Sequence, residues 1–255
     1  MKIVAIIPAH MASVRFQKKI LFDIYGLPMI EHVRRRALLS KELDDVFVAT
    51  CDREISDAVE SYGGKVIMTS RSHKNGTSRV AEVVQNYDCS HVLLLQGDEP
   101  LLLPKHIDSM IDSIKKSSKN DAWNATGSID TESELNLHSF VKCAVSKDNK
   151  IIHCFRKTPY FSDIKIQKRF VRKILGIIAY RKDFLLKLNK LPESEIESSE
   201  FIEQMRIIES GYDIYSVPVE PSLPSINEPH EVQIVLDYLK NNREQKIILE
   251  KILLN

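Results

Sequence analysis

Three polar loops carry the residue types that handle phosphate and metal. The first, His10-Met-Ala-Ser-Val-Arg-Phe-Gln-Lys-Lys19, follows an apolar run and Pro8-Ala9, and it offers Ser13, Arg15, Lys18 and Lys19. Beyond a strand end, backbone amides and cations together hold polyanions. Residues 10–19 contain no glycine, which excludes both the dinucleotide fingerprint and a Walker A loop. By residue type alone, a solvated basic loop has an equal claim. The second loop, Leu95-Gln-Gly-Asp-Glu-Pro100, delivers Asp98 and Glu99 from an apolar strand. A carboxylate there suits Mg²⁺ on a nucleoside triphosphate, because that ion takes one or two carboxylates plus phosphate oxygens; the plainer alternative is an acidic turn before the helix near Leu103. Gly97 is expected to let a ligand approach the backbone. The third loop, Thr69 to Arg79, carries Arg71, Gly76 and Arg79 before a helix that Thr77 or Ser78 is positioned to cap.

The elements that must hold these loops follow from the hydrophobic pattern. Ile3–Ile7, Val46–Ala49, Val66–Met68 and Val92–Leu95 read as buried strands. Between and after them lie helical patterns: Met29, Ile30, Val33, Ala37; Ile55, Ala58, Val59; Arg79–Gln85; and Ile107, Met110, Ile111, Ile114. This strand–helix alternation predicts an α/β fold with a mostly parallel sheet, in which ligands bind beyond the carboxyl ends of the strands. The three loops lie at such ends. From about Ala125 the pattern changes: Val141–Val145, Ile151–Phe155 and Val171–Tyr180 read as strands of an inserted lobe with a Lys-rich, Tyr-containing loop. A helical stretch Glu200–Ile208, a strand near Ile214–Val217, a Pro-punctuated loop and a helix through Val232, Val235, Leu236 and Leu239 follow. The tail from Lys240 is helical in pattern, and its Ile247, Ile248, Ile252 and Leu253 require a partner surface in this chain or in a second copy.

Composition removes several function classes. The 255 residues carry 36 Lys+Arg against 35 Asp+Glu, without the basic excess of a phosphate-driven nucleic-acid binder. Apolar residues make up 43%, enough for a sizeable buried core. Cys51, Cys89, Cys143 and Cys154 form no C-x-x-C pair, so a reduced, cytoplasmic setting is expected and a zinc site is not. No apolar run reaches the ~20 residues of a bilayer span.

The motifs, taken in order, resemble one family. Ile6-Ile-Pro-Ala9 with Ser13, Arg15 and Lys19, Gly26-Leu-Pro-Met-Ile-Glu-His-Val33, Gly76-Thr77, Arg79-Val-Ala-Glu-Val83, Gln96-Gly-Asp-Glu-Pro100, Leu175-Gly-Ile177 and Glu203-Gln-Met-Arg206 look like the 3-deoxy-manno-octulosonate (Kdo) cytidylyltransferase, or CMP-Kdo synthetase, family. The resemblance covers almost the whole chain. It implies a nucleotide-diphospho-sugar transferase-like (Rossmann-like) fold with helices on both sheet faces and a smaller inserted acceptor/dimerisation lobe. Residues 1–255 would form one domain, with 1–125 binding CTP, about 126–225 serving acceptor and dimerisation, and 226–255 closing it. A cytoplasmic homodimer is implied, using CTP, a small acidic sugar and Mg²⁺, with no nucleic acid and no membrane insertion. Carried over residue by residue, Lys19, Asp98 and Arg15 would be catalytic. Pro8, Ala9, His10, Ser13, Arg15, Lys19, Arg71 and Gly76 would bind nucleotide. Gln96, Arg156, Ile174, Ile178, Glu203 and Gln204 would line the acceptor site, and Asp98 with Asn227 would hold the metal.

The departures from the family pattern fall at those same positions. His10 stands where the family has an arginine, Gln17-Lys18 replaces Pro-Gly, and Asn227 replaces a metal-binding aspartate, with Glu228 beside it. Ile174 and Ile178 replace a histidine and a tyrosine, and Ser78 replaces an acidic residue. Loss of polar groups at a site discriminates between substrates. Three readings stay open: a cytidylyltransferase acting on Kdo or a close relative, a CTP-dependent enzyme for a different acid acceptor, and a nucleotide-binding homologue with impaired catalysis.

Overall fold

The computed structural model describes residues 1–13 and 16–254. The chain divides into two compact units, Met1–Asp108 with Leu223–Asn255, and Ser109–Ser222.

The first unit is built on β1 (Ile3–Ala9), whose continuous apolar run is that of a strand covered on both faces. After β1 come a 3₁₀ turn at Lys19–Leu21, the hairpin β2 (Asp23–Ile24) and β3 (Leu27–Pro28), and α1 (Met29–Ala37). Then follow β4 (Asp45–Thr50), α2 (Arg53–Ser61), β5 (Val66–Met68), α3 (Gly76–Gln85), β6 (His91–Leu95) and α4 (Pro104–Lys116). Strands β6, β1, β4 and β5 lie side by side and all parallel, with Ile6 opposite both Leu94 and Phe47. The loops after β1 and β6 therefore emerge at the same edge, as the sequence predicts.

Two local expectations are corrected here. Helix α3 begins at Gly76, three residues before the expected Arg79, because the cap is Asn75, whose Oδ1 accepts the Ser78 N–H at 2.9 Å; Thr77 and Ser78 lie inside the helix. Gly97 does not open its backbone to a ligand: a methyl group there would lie 3.0 Å from Ile20 Cδ1 and 3.2 Å from Ile30 Cδ1, so its smallness accommodates the core. Helix α1 carries a buried charge network. Glu31 is fully buried and receives both Nε and Nη2 of Arg34 at 2.7 Å and Nε of Arg35 at 3.1 Å.

The second unit contains β7 (Ala122–Gly127), α5 (Glu132–Asn136), β8 (Lys142–Val145), β9 (Ile151–Phe155), α6 (Ile164–Gln167) and β10 (Val171–Arg181). It ends with α7 (Lys182–Leu188), α8 (Glu195–Glu200), α9 (Gln204–Glu209) and β11 (Ile214–Pro218). Its strands pair as β11-β7-β10-β8-β9, antiparallel except for β11 on β7. Strand β7 has no alternating pattern because every residue in it is buried. Ile129, Leu135, Ala144, Phe155 and Val171 form a core cluster. The loop between β9 and β10 contains α6, capped by Asp163. The expected helix over Glu200–Ile208 is two helices, α8 and α9, because Phe201 adopts a left-handed φ of 55°.

The chain then returns to the first unit with α10 (Glu231–Asn241) and α11 (Arg243–Leu253). Ile248 and Ile252 of α11 cluster with Leu103, Leu39 and Leu223, while Arg35 Nη1 donates to Ile252 O at 2.6 Å and Gln245 Nε2 to Leu101 O at 2.8 Å. Of the four apolar residues expected to need a partner surface, Ile248 and Ile252 find it in this chain, whereas Ile247 and Leu253 stay exposed. All four cysteines are free thiols, and among the described residues no helix is long and apolar enough to cross a membrane.

Candidate active site

Pairing of β1 with β6 sets the loop containing Lys19 beside the loop containing Asp98. Lys19 Nζ reaches Asp98 Oδ2 at 2.6 Å, with side chains only 11% and 17% exposed. This short, largely desolvated ion pair sits at the carboxyl edge of the parallel sheet, each partner holding the other in place. Arg15 lies outside the described residues. Lys18, with φ 54°, occupies a left-handed conformation that favours glycine, and its Nζ sits 2.8 Å from Glu54. Met11, Ala12, Ser13, Gln17, Lys18 and Asp52 to Glu54 line a cleft of about 720 Å³ beside this loop.

Pro8 and Ala9 end β1, and His10 follows on the exposed side. The Ala12 N–H donates to His10 Nδ1 at 3.1 Å. Partial burial, and then the Arg79 guanidinium, lower the His10 pKa from its ordinary value, which favours the neutral imidazole. Gly76, at the start of α3, packs against Pro8: a Cβ there would lie 3.0 Å from Pro8 Cγ. Arg79 is buried and donates to Thr69 Oγ1 at 2.5 Å and Ser70 O at 3.3 Å. It pins the loop that carries the exposed Arg71. His73 bridges Ser78 Oγ at 3.2 Å and the Glu82 carboxylate, so Ser78 is tied into the loop's own support.

Asn227 comes to the same edge through a backbone link, Ile226 N–H to Asp98 O at 3.0 Å. Its Nδ2 donates to Ser225 Oγ at 3.0 Å and its own N–H donates to Glu231 Oε2 at 2.6 Å. With one amide N–H on Ser225, the side-chain carbonyl oxygen is the atom Asn227 can offer to a cation. The Asp98 carboxylate and the Asn227 amide oxygen are of the chemical kind a hard divalent cation takes. Among the described residues no group of three or more His, Cys, Asp or Glu side chains is arranged around a metal position. Glu231, which fixes the backbone of both Asn227 and Glu228, escapes the sequence reading because nothing in its spacing marks it.

Gln96 follows β6 in the first unit and is exposed. The other residues expected at the acceptor site lie in the second unit. Gln204 is buried, and its Nε2 donates to Asn124 Oδ1 at 2.9 Å; Asn124 in turn donates to Leu175 O at 3.0 Å. Asn124 is absent from the sequence expectations, because β7 itself carries no strand pattern to single it out. Glu203 immediately precedes α9. Ile174 lies opposite Thr126 and Ile178 opposite Asn124, on either side of an irregularity in β10; Ile178 is buried and Ile174 half-buried. Arg156 donates through Nε to Glu200 O at 2.7 Å, through Nη1 to His138 O at 3.0 Å and through Nη2 to Phe201 O at 3.2 Å. A guanidinium has five N–H groups, so one remains on each terminal nitrogen, the pair that grips a carboxylate end-on.

Comparison with known proteins agrees with this architecture. A cytidylyltransferase family model matches residues 4–214. The 3-deoxy-manno-octulosonate cytidylyltransferase of Geotalea uraniireducens is 36% identical, covering 94% of this chain and 100% of its own length. The 8-amino-3,8-dideoxy-manno-octulosonate cytidylyltransferase of Shewanella pealeana is 35% identical over 92% of this chain and 97% of its own. A solved CMP:2-keto-3-deoxy-manno-octonic acid synthetase in complex with CTP superposes with a TM-score of 0.88 at 33% identity, covering 94% of this chain and 99% of that one. The chain belongs to the cytidylyltransferase family and is a nucleotidyltransferase of the 3-deoxy-manno-octulosonate cytidylyltransferase type.

Proposed function

We propose that this protein couples CTP to a 2-keto-3-deoxy sugar acid, Kdo or a close relative, giving the CMP-sugar and pyrophosphate. The observation that carries this reading is the Lys19–Asp98 pair at the shared edge of β1 and β6, with Asn227 tethered to Asp98 through Ile226. On binding, Lys19, with Arg15, would take triphosphate oxygens, and Asp98 with the Asn227 carbonyl oxygen would hold Mg²⁺. The bound ion would neutralise charge on the phosphates and polarise the phosphorus centre. The acceptor's anomeric hydroxyl oxygen attacks the α-phosphorus, the bond to the β-phosphate oxygen breaks, pyrophosphate leaves and the hydroxyl proton is lost to solvent. Positioned cations stabilise the charge that develops on the transferred group, and no protein nucleophile is needed.

Ser13, Arg71, Gly76 and the Pro8-Ala9-His10 segment serve the nucleotide. A neutral His10 gives a weaker phosphate contact than a guanidinium, and the exposed Lys18, paired at the surface with Glu54, offers a compensating cation. Arg156 takes the acceptor carboxylate, with Gln96, Glu203 and Gln204 reading hydroxyls. Ile174 and Ile178 remove two polar contacts, which favours a second reading in which the acceptor has fewer hydroxyls or an altered tail; the relative that acts on an 8-amino sugar acid supports it. The protein works by our reading as a cytoplasmic homodimer. Pyrophosphate release, measured with Mg²⁺, each of the four nucleoside triphosphates and a panel of Kdo, its 8-amino analogue, neuraminic acids and small phosphonates, tests both. Release with CTP and Kdo supports the first reading, and release with CTP and another acid the second. Silence across the panel, with CTP still raising the melting temperature, would sink both in favour of a binding protein.

A further inference from the structure

Lys142 is fully buried at the start of β8, opposite Phe155 of β9 and Lys173 of β10. Its Nζ donates to Leu137 O at 2.6 Å, and Leu137 is the residue that ends α5. The neighbouring carbonyl, His138 O, receives Arg156. Two cations are thus fastened to consecutive carbonyls of one short loop. Lys173, on the other side, has its charge balanced by Glu134 at 2.9 Å and Asp130 at 3.4 Å. Among the described residues, neither Lys142 nor Arg156 has a carboxylate partner within ion-pair distance.

Burying an ammonium against a single neutral carbonyl is costly, and placing a guanidinium beside it adds repulsion. Burial first and Arg156 second push the Lys142 pKa down to about 8. Ending a five-residue helix does not account for that expense, since a neutral donor such as an amide would serve the same carbonyl. An anion arriving at the two open Arg156 N–H groups would relieve the repulsion and gain from both charges.

We propose that Lys142 is a positioning residue of the acceptor site: fixed on Leu137 O beside Arg156, it makes with that guanidinium an uncompensated pair of positive charges that draws in and seats the acceptor's carboxylate. Because this rests on the function proposed above, the test begins with wild-type pyrophosphate release from CTP and Kdo; no release would overturn the Kdo reading and this inference with it. Lys142→Met and Lys142→Arg are then compared. Loss of one charge–charge contact at a partly screened distance corresponds to roughly a tenfold effect. The expected result is a KM for Kdo about tenfold higher in K142M, with the KM for CTP unchanged and most of the loss restored in K142R. The preference for Kdo over its C1 amide should shrink by the same factor, a readout that a purely structural role would leave unmoved. Should K142M fail to fold, K142Q carries the same measurement. A Kdo KM and acid-over-amide preference equal to wild type, or equal losses for CTP and Kdo, would overturn the inference alone.

Discussion

Replacing Asp98 by Asn separates the structural and catalytic contributions of the Lys19–Asp98 pair. The substitution keeps shape and one acceptor oxygen but leaves the Lys19 ammonium facing a neutral amide at a position where both side chains are less than a fifth exposed. A charged hydrogen bond contributes about 1.5–3 kcal/mol, and the discount for residual solvent and the retained acceptor brings the expected loss to about 2 kcal/mol. For a chain of this length that is a fall in Tm of roughly 4–8 °C. The activity effect is larger: with the only carboxylate of the proposed metal site gone, kcat/KM should drop at least about 10²-fold and rising Mg²⁺ should rescue little. CTP binding measured without Mg²⁺ should be retained or tighter, because Lys19 is released to the phosphates. Calorimetric unfolding, pyrophosphate release across a magnesium series and titration with CTP in chelator read the three quantities separately. Turnover near that of wild type, with an unchanged magnesium response, would refute the assignment of Asp98.

Changing Asn227 to Asp should leave the fold intact and lower the magnesium concentration for half-maximal activity, since it restores a negative charge beside Asp98; an unchanged magnesium curve removes the residue from the site. Glu31→Gln leaves two guanidiniums in α1 short of a counter-charge and should cost about 3–5 kcal/mol, seen as a large loss of Tm without a selective effect on either substrate. The buried His32, with Nε2 on Ile24 O at 2.7 Å, has its pKa lowered to about 4, by desolvation first. Its folded value lies below the unfolded one, so its neutral state supports the fold fully above about pH 6.5, and that support is lost as pH falls toward 4, amounting to roughly 3 kcal/mol. Stability curves for wild type and His32→Gln over this window should diverge in wild type's disfavour as the pH drops. Lys18→Gly relieves a left-handed side chain, an effect of about 1 kcal/mol offset in part by glycine's entropy, so urea unfolding should show stability equal to or slightly above wild type.

The parallel sheet is legible in the sequence because strands covered on both faces are unbroken apolar runs, and the chemistry is legible because polar loops interrupt those runs at one edge. Asn75 goes unread as a helix cap because Thr77 and Ser78 compete for the role, and only the backbone geometry decides. Strand β7 goes unread for the opposite reason: Trp123, Asn124 and Thr126 are all buried, so neither alternation nor a uniform apolar run marks it. Phe201 breaks an otherwise continuous helical pattern through a left-handed backbone conformation that its residue type does not announce. Lys142 and Asn124 are visible as letters, but the meaning of a polar residue in a strand depends on what its side chain meets: for Lys142 the carbonyl of Leu137, five residues back, and for Asn124 the Gln204 amide on α9.

The first unit is interrupted: residues Met1–Asp108 are completed only by Leu223 onward, whereas Ser109–Ser222 is continuous. On the ribosome the continuous unit emerges whole while the earlier one still waits for its closing helix. Leu39 and Leu103 lack their α11 neighbours, Ile248 and Ile252, until α11 has been made, an interval after Leu103 of roughly seven to thirty seconds at 5–20 residues per second. During that time the nascent protein presents apolar surface to chaperones and to other nascent chains, so truncations within α11 should appear as poor yield and aggregation before any kinetic constant changes.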